Sequence, residues 1–206
     1  MEKEKNYRNR VSRFYNKMFD TQSAYKEMYA FIKEPLREYM HVLEAGTGTG
    51  LVAREIAGGV QKVNAVDFSK KMIEKAKSIK HASNINYSCA DIFQLPFKDG
   101  SFDAVITANI LHIIPNPEKA LQEIGRVLKP EGILIAPTFM WKSTNIAGKI
   151  LKMFMQISNF PIHSQWNTKS YLDFVQSNNF SILKTQYIKA NFLIACIVCK
   201  KNTNTL

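Results

Sequence analysis

Between residues 42 and 57 the chain passes from an apolar strand pattern, through three alternate glycines, into a helix. Val42, Leu43 and Ala45 flank an acid, Glu44; Gly46, Gly48 and Gly50 follow; Leu51, Val52, Ala53, Ile56 and Ala57 continue at helical spacing. Glycine tolerates positive φ and lets a ligand approach without meeting a Cβ. The helix N-terminus behind the turn presents unpaired N–H groups. Such a unit opens α/β sheets that bind nucleotides at the carboxyl ends of their strands. The dinucleotide fingerprint G-x-G-x-x-G does not fit, because its third glycine would fall on Leu51.

Three further strand patterns follow, and two of them end in an acid. Residues 62–67 end in Asp67, where a carboxylate accepts from both ribose hydroxyls. Residues 86–91 end in Asp91, placed to accept from an adenine amino group while the Ile92 N–H meets a ring nitrogen. Residues 101–109 end in Asn109. An amphipathic helix from Pro117 carries Ala120, Leu121, Ile124, Val127 and Leu128 on one face, and a fifth strand runs to Ile135. Strands alternating with helices imply a parallel sheet with right-handed crossovers. The acids at three successive strand ends then face one crevice.

The spacing of Glu44 from its glycines resembles the first motif of Rossmann-like methyltransferases that use S-adenosylmethionine. Asp91 in A-D-x-x-x-L-P-F-x-D-x-S-F-D, then Leu111-His112, then L-K-P-x-G from Leu128, are similar to the small-molecule methyltransferases of the ubiquinone/menaquinone-biosynthesis type. The resemblance covers roughly residues 40–137. It implies a three-layer α/β sandwich on a seven-stranded, mostly parallel sheet of order 3-2-1-4-5-7-6, the last strand antiparallel. It implies S-adenosylmethionine as cofactor and S-adenosylhomocysteine as product. The cofactor set it implies is Tyr15, Glu44, Gly46, Thr47, Gly48, Asp67, Phe68, Met72, Asp91, Ile92 and Asn109, with no metal. Glu44 is expected to bind the methionyl ammonium or to cap the loop, Phe68 and Met72 to flank the adenine, and Asn109 to face the transferable methyl.

Length and composition agree with one domain over 1–206, comprising an N-terminal helical segment 1–40, the core, and a substrate cap at about 138–167. Helical spacing continues over 143–158, with Lys149 and Lys152 on an amphipathic face suited to peripheral membrane contact. Thr168 is the expected N-cap of the next helix, and residues 181–188 and 192–200 the expected hairpin. No apolar run is long enough to span a membrane and the first residues lack a signal-peptide core, so a cytoplasmic protein is expected, monomeric or homodimeric. Cys196 and Cys199 sit three apart on a strand pattern, hence on opposite faces, and read as packed residues rather than a metal or redox pair. Most of the +11 net charge falls after residue 137, where eight lysines meet one acid. They are spread singly, as on a solvated surface.

A methyl already activated for displacement mainly needs its acceptor held in line. A base helps if the acceptor is a phenol, enol or amine. His112 is the candidate, although a loop histidine that caps or packs fits equally, and the family's frequent second histidine is Ile113 here. Tyr15, Phe19, Tyr25, Phe139, Trp141, Phe154, Met155 and Trp166 are available either to line an apolar pocket or to fill the core. The acceptor expected is a small, apolar or ring-bearing molecule. Nucleic-acid methylation is disfavoured: Asn109-Ile110-Leu111-His112 stands where exocyclic-amine enzymes carry D/N-P-P-Y/F, and no cysteine follows a proline. RNA or protein methylation, or non-catalytic cofactor binding, remain the alternatives.

Overall fold

A computed structural model describes residues 22–144, 163–190 and 192–202. Tyr15, Phe19, Phe154, Met155 and most of the expected helix over 143–158 lie outside them.

The elements are α1 (Gln22–Lys33), β1 (His41–Ala45), α2 (Leu51–Ile56), β2 (Lys62–Asp67), α3 (Lys70–Lys77), β3 (Ile85–Cys89), β4 (Phe102–Ile106), α4 (Pro117–Val127), β5 (Leu128–Ile135), β6 (Thr138–Thr144), α5 (Thr168–Ser177), β7 (Phe180–Ile188) and β8 (Phe192–Lys201). Strands β3, β2, β1, β4 and β5 pair in parallel, and β8 is antiparallel to β5, β6 and β7.

The eight strands among the described residues make seven columns. Ile135 pairs with Val198 and Thr138 with Ala195, so β6 continues the register of β5 along the same edge of β8. The break falls at Pro137, which has no N–H to give the ladder. Merging β5 with β6 gives 3-2-1-4-5-8-7, which is the expected seven-column order 3-2-1-4-5-7-6 with the inserted last strand antiparallel. The expected cap boundary at 138 shifts accordingly: Thr138–Thr144 belongs to the sheet, so neither the cap nor the expected helix at 143 begins there.

Alternation along the strands sorts the core into two layers. Val42, Val63, Ala65, Ala104 and Ile106 face α1, α2 and α3 through Met28, Ile32, Ile56 and Ile73. Leu43, Val66, Val105 and Leu134 face α4 and α5 through Leu121, Ile124, Tyr171 and Val175. Cys196 falls in the first layer and Cys199 in the second, as their spacing predicts, and burial pushes both thiols up to about 12.

Helix α5 corrects one detail. Its N-cap is Asn167, not Thr168: the Asn167 side chain accepts from the Ser170 N–H, and the Ser170 hydroxyl accepts from the Asn167 N–H. This reciprocal box closes at Asn167 and leaves Thr168 as the first helical residue. Tyr171 on the same helix donates its buried hydroxyl to Ala136 O at 2.7 Å, beside the break between β5 and β6. Tyr171→Phe strands that carbonyl, and chemical denaturation should show a loss of about 1–2 kcal/mol.

Candidate functional site

The parallel register puts the ends of β1, β2, β3 and β4 on one rim. Ala45 pairs with Val66, Asp67 with Cys89, and Glu44 with Ile106. The glycine loop is laid across this rim by β2: the Gly46 and Thr47 N–H groups both donate to Val66 O, at 2.8 and 2.9 Å. Gly46, Gly48 and Gly50 all have positive φ, as the alternate-glycine pattern requires.

Asp67 is held from both sides. Its Oδ2 accepts from the Gly48 N–H at 2.8 Å and its Oδ1 from the Ser69 N–H at 2.8 Å. Each oxygen keeps a second lone pair. The carboxylate is therefore oriented and still able to accept, which suits a vicinal diol. Phe68, next in sequence, is 81% exposed, and Met72 on α3 is 41% exposed. Two large apolar side chains left in water beside an oriented carboxylate make a platform for a flat aromatic ring.

The turn after β3 completes that side. Asp91 Oδ1 accepts from the Phe93 N–H at 2.9 Å, and Gln94 N–H donates back to Asp91 O at 3.1 Å. Oδ2 keeps its acceptor capacity. Ile92 is half-buried beside the turn.

Glu44 is only 2% exposed. Its Oε2 accepts from the Thr47 hydroxyl at 2.5 Å, and the Ala53 N–H also donates to its carboxylate. It thus caps the first turn of α2 from beneath the loop. Burial pushes its carboxyl up to about 8, only partly offset by those two hydrogen bonds.

At the end of β4, Asn109 takes φ +58 and donates its N–H to Pro137 O at 2.8 Å. Its side-chain Oδ1 and the Thr107 hydroxyl are buried without a hydrogen-bond partner among the described residues. A buried acceptor in a strained backbone next to a glycine loop is a place where a donor from a ligand is missing. S-adenosylmethionine brings such donors in its ammonium, its ribose diol and its purine amino group, so the described residues fit it.

His112 is buried, 2% exposed, with Nδ1 2.8 Å from Thr138 Oγ1. Its ring packs against Phe139 and Trp141 at 5.7 and 5.5 Å between centroids. Burial lowers its pKa to about 3. The imidazole is neutral throughout the physiological range and a weak base. Its carbonyl accepts from the His163 and Ser164 N–H groups, tying residues 163–164 to this loop. Trp166 packs on Phe174 and Tyr171 in the α5 layer, and so fills core rather than lining the crevice.

Sequence reasoning missed the supporting pair Glu123 and Arg126 on α4. Their i, i+3 spacing ahead of Leu128-Lys129-Pro130 was the available signal. It also missed Tyr87, whose hydroxyl lies beneath Gly50.

Residues 43–136 match the family model described as a methyltransferase domain. A demethylmenaquinone methyltransferase of Staphylococcus haemolyticus is 29% identical over 71% of this chain and 63% of its own. A ubiquinone biosynthesis O-methyltransferase of Coxiella burnetii is 34% identical over 48% of this chain and 43% of its own. An uncharacterized chloroplastic methyltransferase of Arabidopsis thaliana is 29% identical over 66% of this chain and 44% of its own. The chain therefore spans less than two thirds of the length of each of these relatives. Among solved structures, a putative methyltransferase of Bacillus halodurans superimposes with TM-score 0.73 at 18% identity, over 86% of this chain and all of that one. The complex of the Haloferax volcanii Trm112 methyltransferase activator with a putative methyltransferase gives TM-score 0.76 at 17% identity, over 97% and 99%.

Proposed function

We propose that the chain carries a Rossmann-like, S-adenosylmethionine-dependent methyltransferase domain and that it methylates a small, apolar or ring-bearing acceptor. The observation that carries this reading is the oriented carboxylate of Asp67 between the glycine loop and the exposed Phe68 and Met72. The two quinone-pathway relatives support the acceptor class.

S-adenosylmethionine supplies a methyl group activated on a sulfonium. Asp67 accepts from the ribose hydroxyls. Phe68, Met72 and Ile92 cover the adenine faces, and Asp91 accepts from its amino group. Gly46, Thr47 and Gly48 keep the loop close to the ribose and methionyl portion, while Glu44 and Asn109 answer its ammonium. The acceptor is held in line on the β4 side, where most of the rate advantage is positional. We assign His112 the holding of Thr138 and the 163–164 segment, not proton removal. A phenol or enol acceptor would then ionise toward water.

No helix among the described residues is long and apolar enough to cross a membrane. The acceptor is expected to reach the site from solvent or from a membrane surface. A screen of quinol, phenol, amine and lipid acceptors with methyl-labelled cofactor reads out the class; label appearing only on RNA or protein would overturn it. Calorimetry tests the cofactor half. Asp67→Ala should weaken S-adenosylhomocysteine by about 1–3 kcal/mol. An unchanged affinity would remove the ribose role from Asp67.

A further inference from the structure

Glu123 and Arg126, one helical turn apart near the end of α4, grip the segment that follows Asp91 and Ile92. Glu123 Oε1 accepts from the Leu95 N–H at 2.7 Å. Arg126 donates from Nη2 to Leu95 O at 3.0 Å, and from Nη1 to Phe97 O at 2.8 Å and Asp99 Oδ1 at 2.7 Å. The two side chains lock each other in a fork, Nε to Oε2 at 2.9 Å and Nη2 to Oε1 at 2.6 Å. The Arg126 carbonyl accepts from the Gly100 N–H at 3.0 Å, so the whole 95–100 segment is fastened to one turn of helix.

The fold has other means of anchoring this segment. Leu95 is buried, and the Phe97 ring meets Phe102 edge-on at 4.9 Å. Apolar packing holds where the segment lies, and the Phe97 N–H donating to Leu95 O at 2.8 Å closes a tight turn within it, but neither ties its peptide planes to the rest of the fold. The charged fork does so, because a guanidinium paired in a plane with a carboxylate has little angular freedom. Its side chains are mostly screened from water, Glu123 at 15% and Arg126 at 32% exposure. The turn at 91–94 is therefore held by β3 at one end and by the fork at the other.

We propose that Glu123 and Arg126 are positioning residues for purine recognition: through the 95–97 backbone they set the aim of the Asp91 carboxylate and the Ile92 N–H. The proposal rests on the methyltransferase reading and names the part of the cofactor that the pair governs. An i, i+3 pair serving only stability would weaken every ligand alike. A pair that aims the purine-reading turn affects selectivity for the purine edge.

The test compares calorimetric affinities for S-adenosylhomocysteine and S-inosylhomocysteine, the analogue with an oxo group in place of the amino group Asp91 would accept from. The variants are Arg126→Lys, which keeps the charge without the fork, and Glu123→Gln, which keeps an acceptor for the Leu95 N–H. Wild type is expected to prefer the adenosyl ligand by about tenfold or more. Either variant should shrink that preference severalfold, mainly through weaker adenosyl binding. Asp67→Ala should weaken both ligands and leave the preference intact. A preference unchanged in both Arg126→Lys and Glu123→Gln overturns the proposal, as does a wild type that binds both ligands equally. A wild type that binds neither refutes the methyltransferase reading and the proposal with it.

Discussion

Glu44→Gln is expected to give a protein more stable than wild type at pH 9, yet one that binds S-adenosylhomocysteine more weakly. The Glu44 carboxyl is buried under the glycine loop, and burial raises it from 4.5 to about 8. The Thr47 hydroxyl and the Ala53 N–H pull the other way, as does Arg54, while Asp67 adds to the rise. A carboxyl whose folded value is raised stabilises the fold while protonated. That contribution is complete below about pH 4.5 and is lost as pH climbs through about 8. Wild type should therefore lose stability across that window by a few kcal/mol, with a slope of at most about 1.4 kcal/mol per pH unit. Gln has no proton to lose, so the melting difference between variant and wild type should open from pH 5 to pH 8 and then level off. A ligand ammonium near Glu44 favours its ionised form, so binding below pH 8 should release a proton in wild type and none in Glu44→Gln. Titrations in two buffers of different ionisation enthalpy measure that release. A pH-independent melting difference would show that Glu44 is already ionised when buried, and equal proton release in both proteins would move the ammonium elsewhere.

Much of this arrangement is legible along the chain because it depends on local spacing. Alternate glycines after β1 must take positive φ, and acids at the ends of β2 and β3 must share a rim once the strands are parallel. The two-residue period also sorts Cys196 and Cys199 to opposite layers. What escapes is set by distant contacts. His112 reads equally as a loop base and as a histidine that caps or packs; the packing of Phe139 and Trp141 from β6 against its ring, and the burial that lowers its pKa, favour the second. Residues 138–144 read as the start of a cap, and only the partner strand β8 reveals that one register continues across Pro137. Glu123 and Arg126 look like an ordinary pair on a solvated helix face. Their targets, the backbone groups of Leu95 and Phe97, lie about 30 residues earlier in the chain.

Gly46→Ala should cause the largest loss of stability, and Gly48→Ala should separate that effect from binding. Gly46 has φ +84, and a Cβ there would stand 2.3 Å from Ile110 Cγ1 and 2.4 Å from Cδ1. Positive φ alone costs an alanine roughly 1–2 kcal/mol. Ile110 must also leave its place, and a β-branched side chain has few rotamers to move to. Together these should lower unfolding free energy by about 2–4 kcal/mol, with ligand affinity falling as the loop shifts. Adding Ile110→Ala removes the clash but not the cost of the positive φ, so the double variant should recover part of the loss and no more. Gly48 has φ +54, with no atom within 4 Å of where a Cβ would stand. Its replacement by alanine should cost about 1 kcal/mol in the free protein. If the cofactor occupies that open space, affinity should nonetheless fall by tenfold or more, about 1.4 kcal/mol. Denaturation and calorimetry on the same samples distinguish the cases. A Gly48→Ala protein that binds S-adenosylhomocysteine as wild type does would mean that the alternate glycines serve the turn alone, and that the ligand stands clear of the loop.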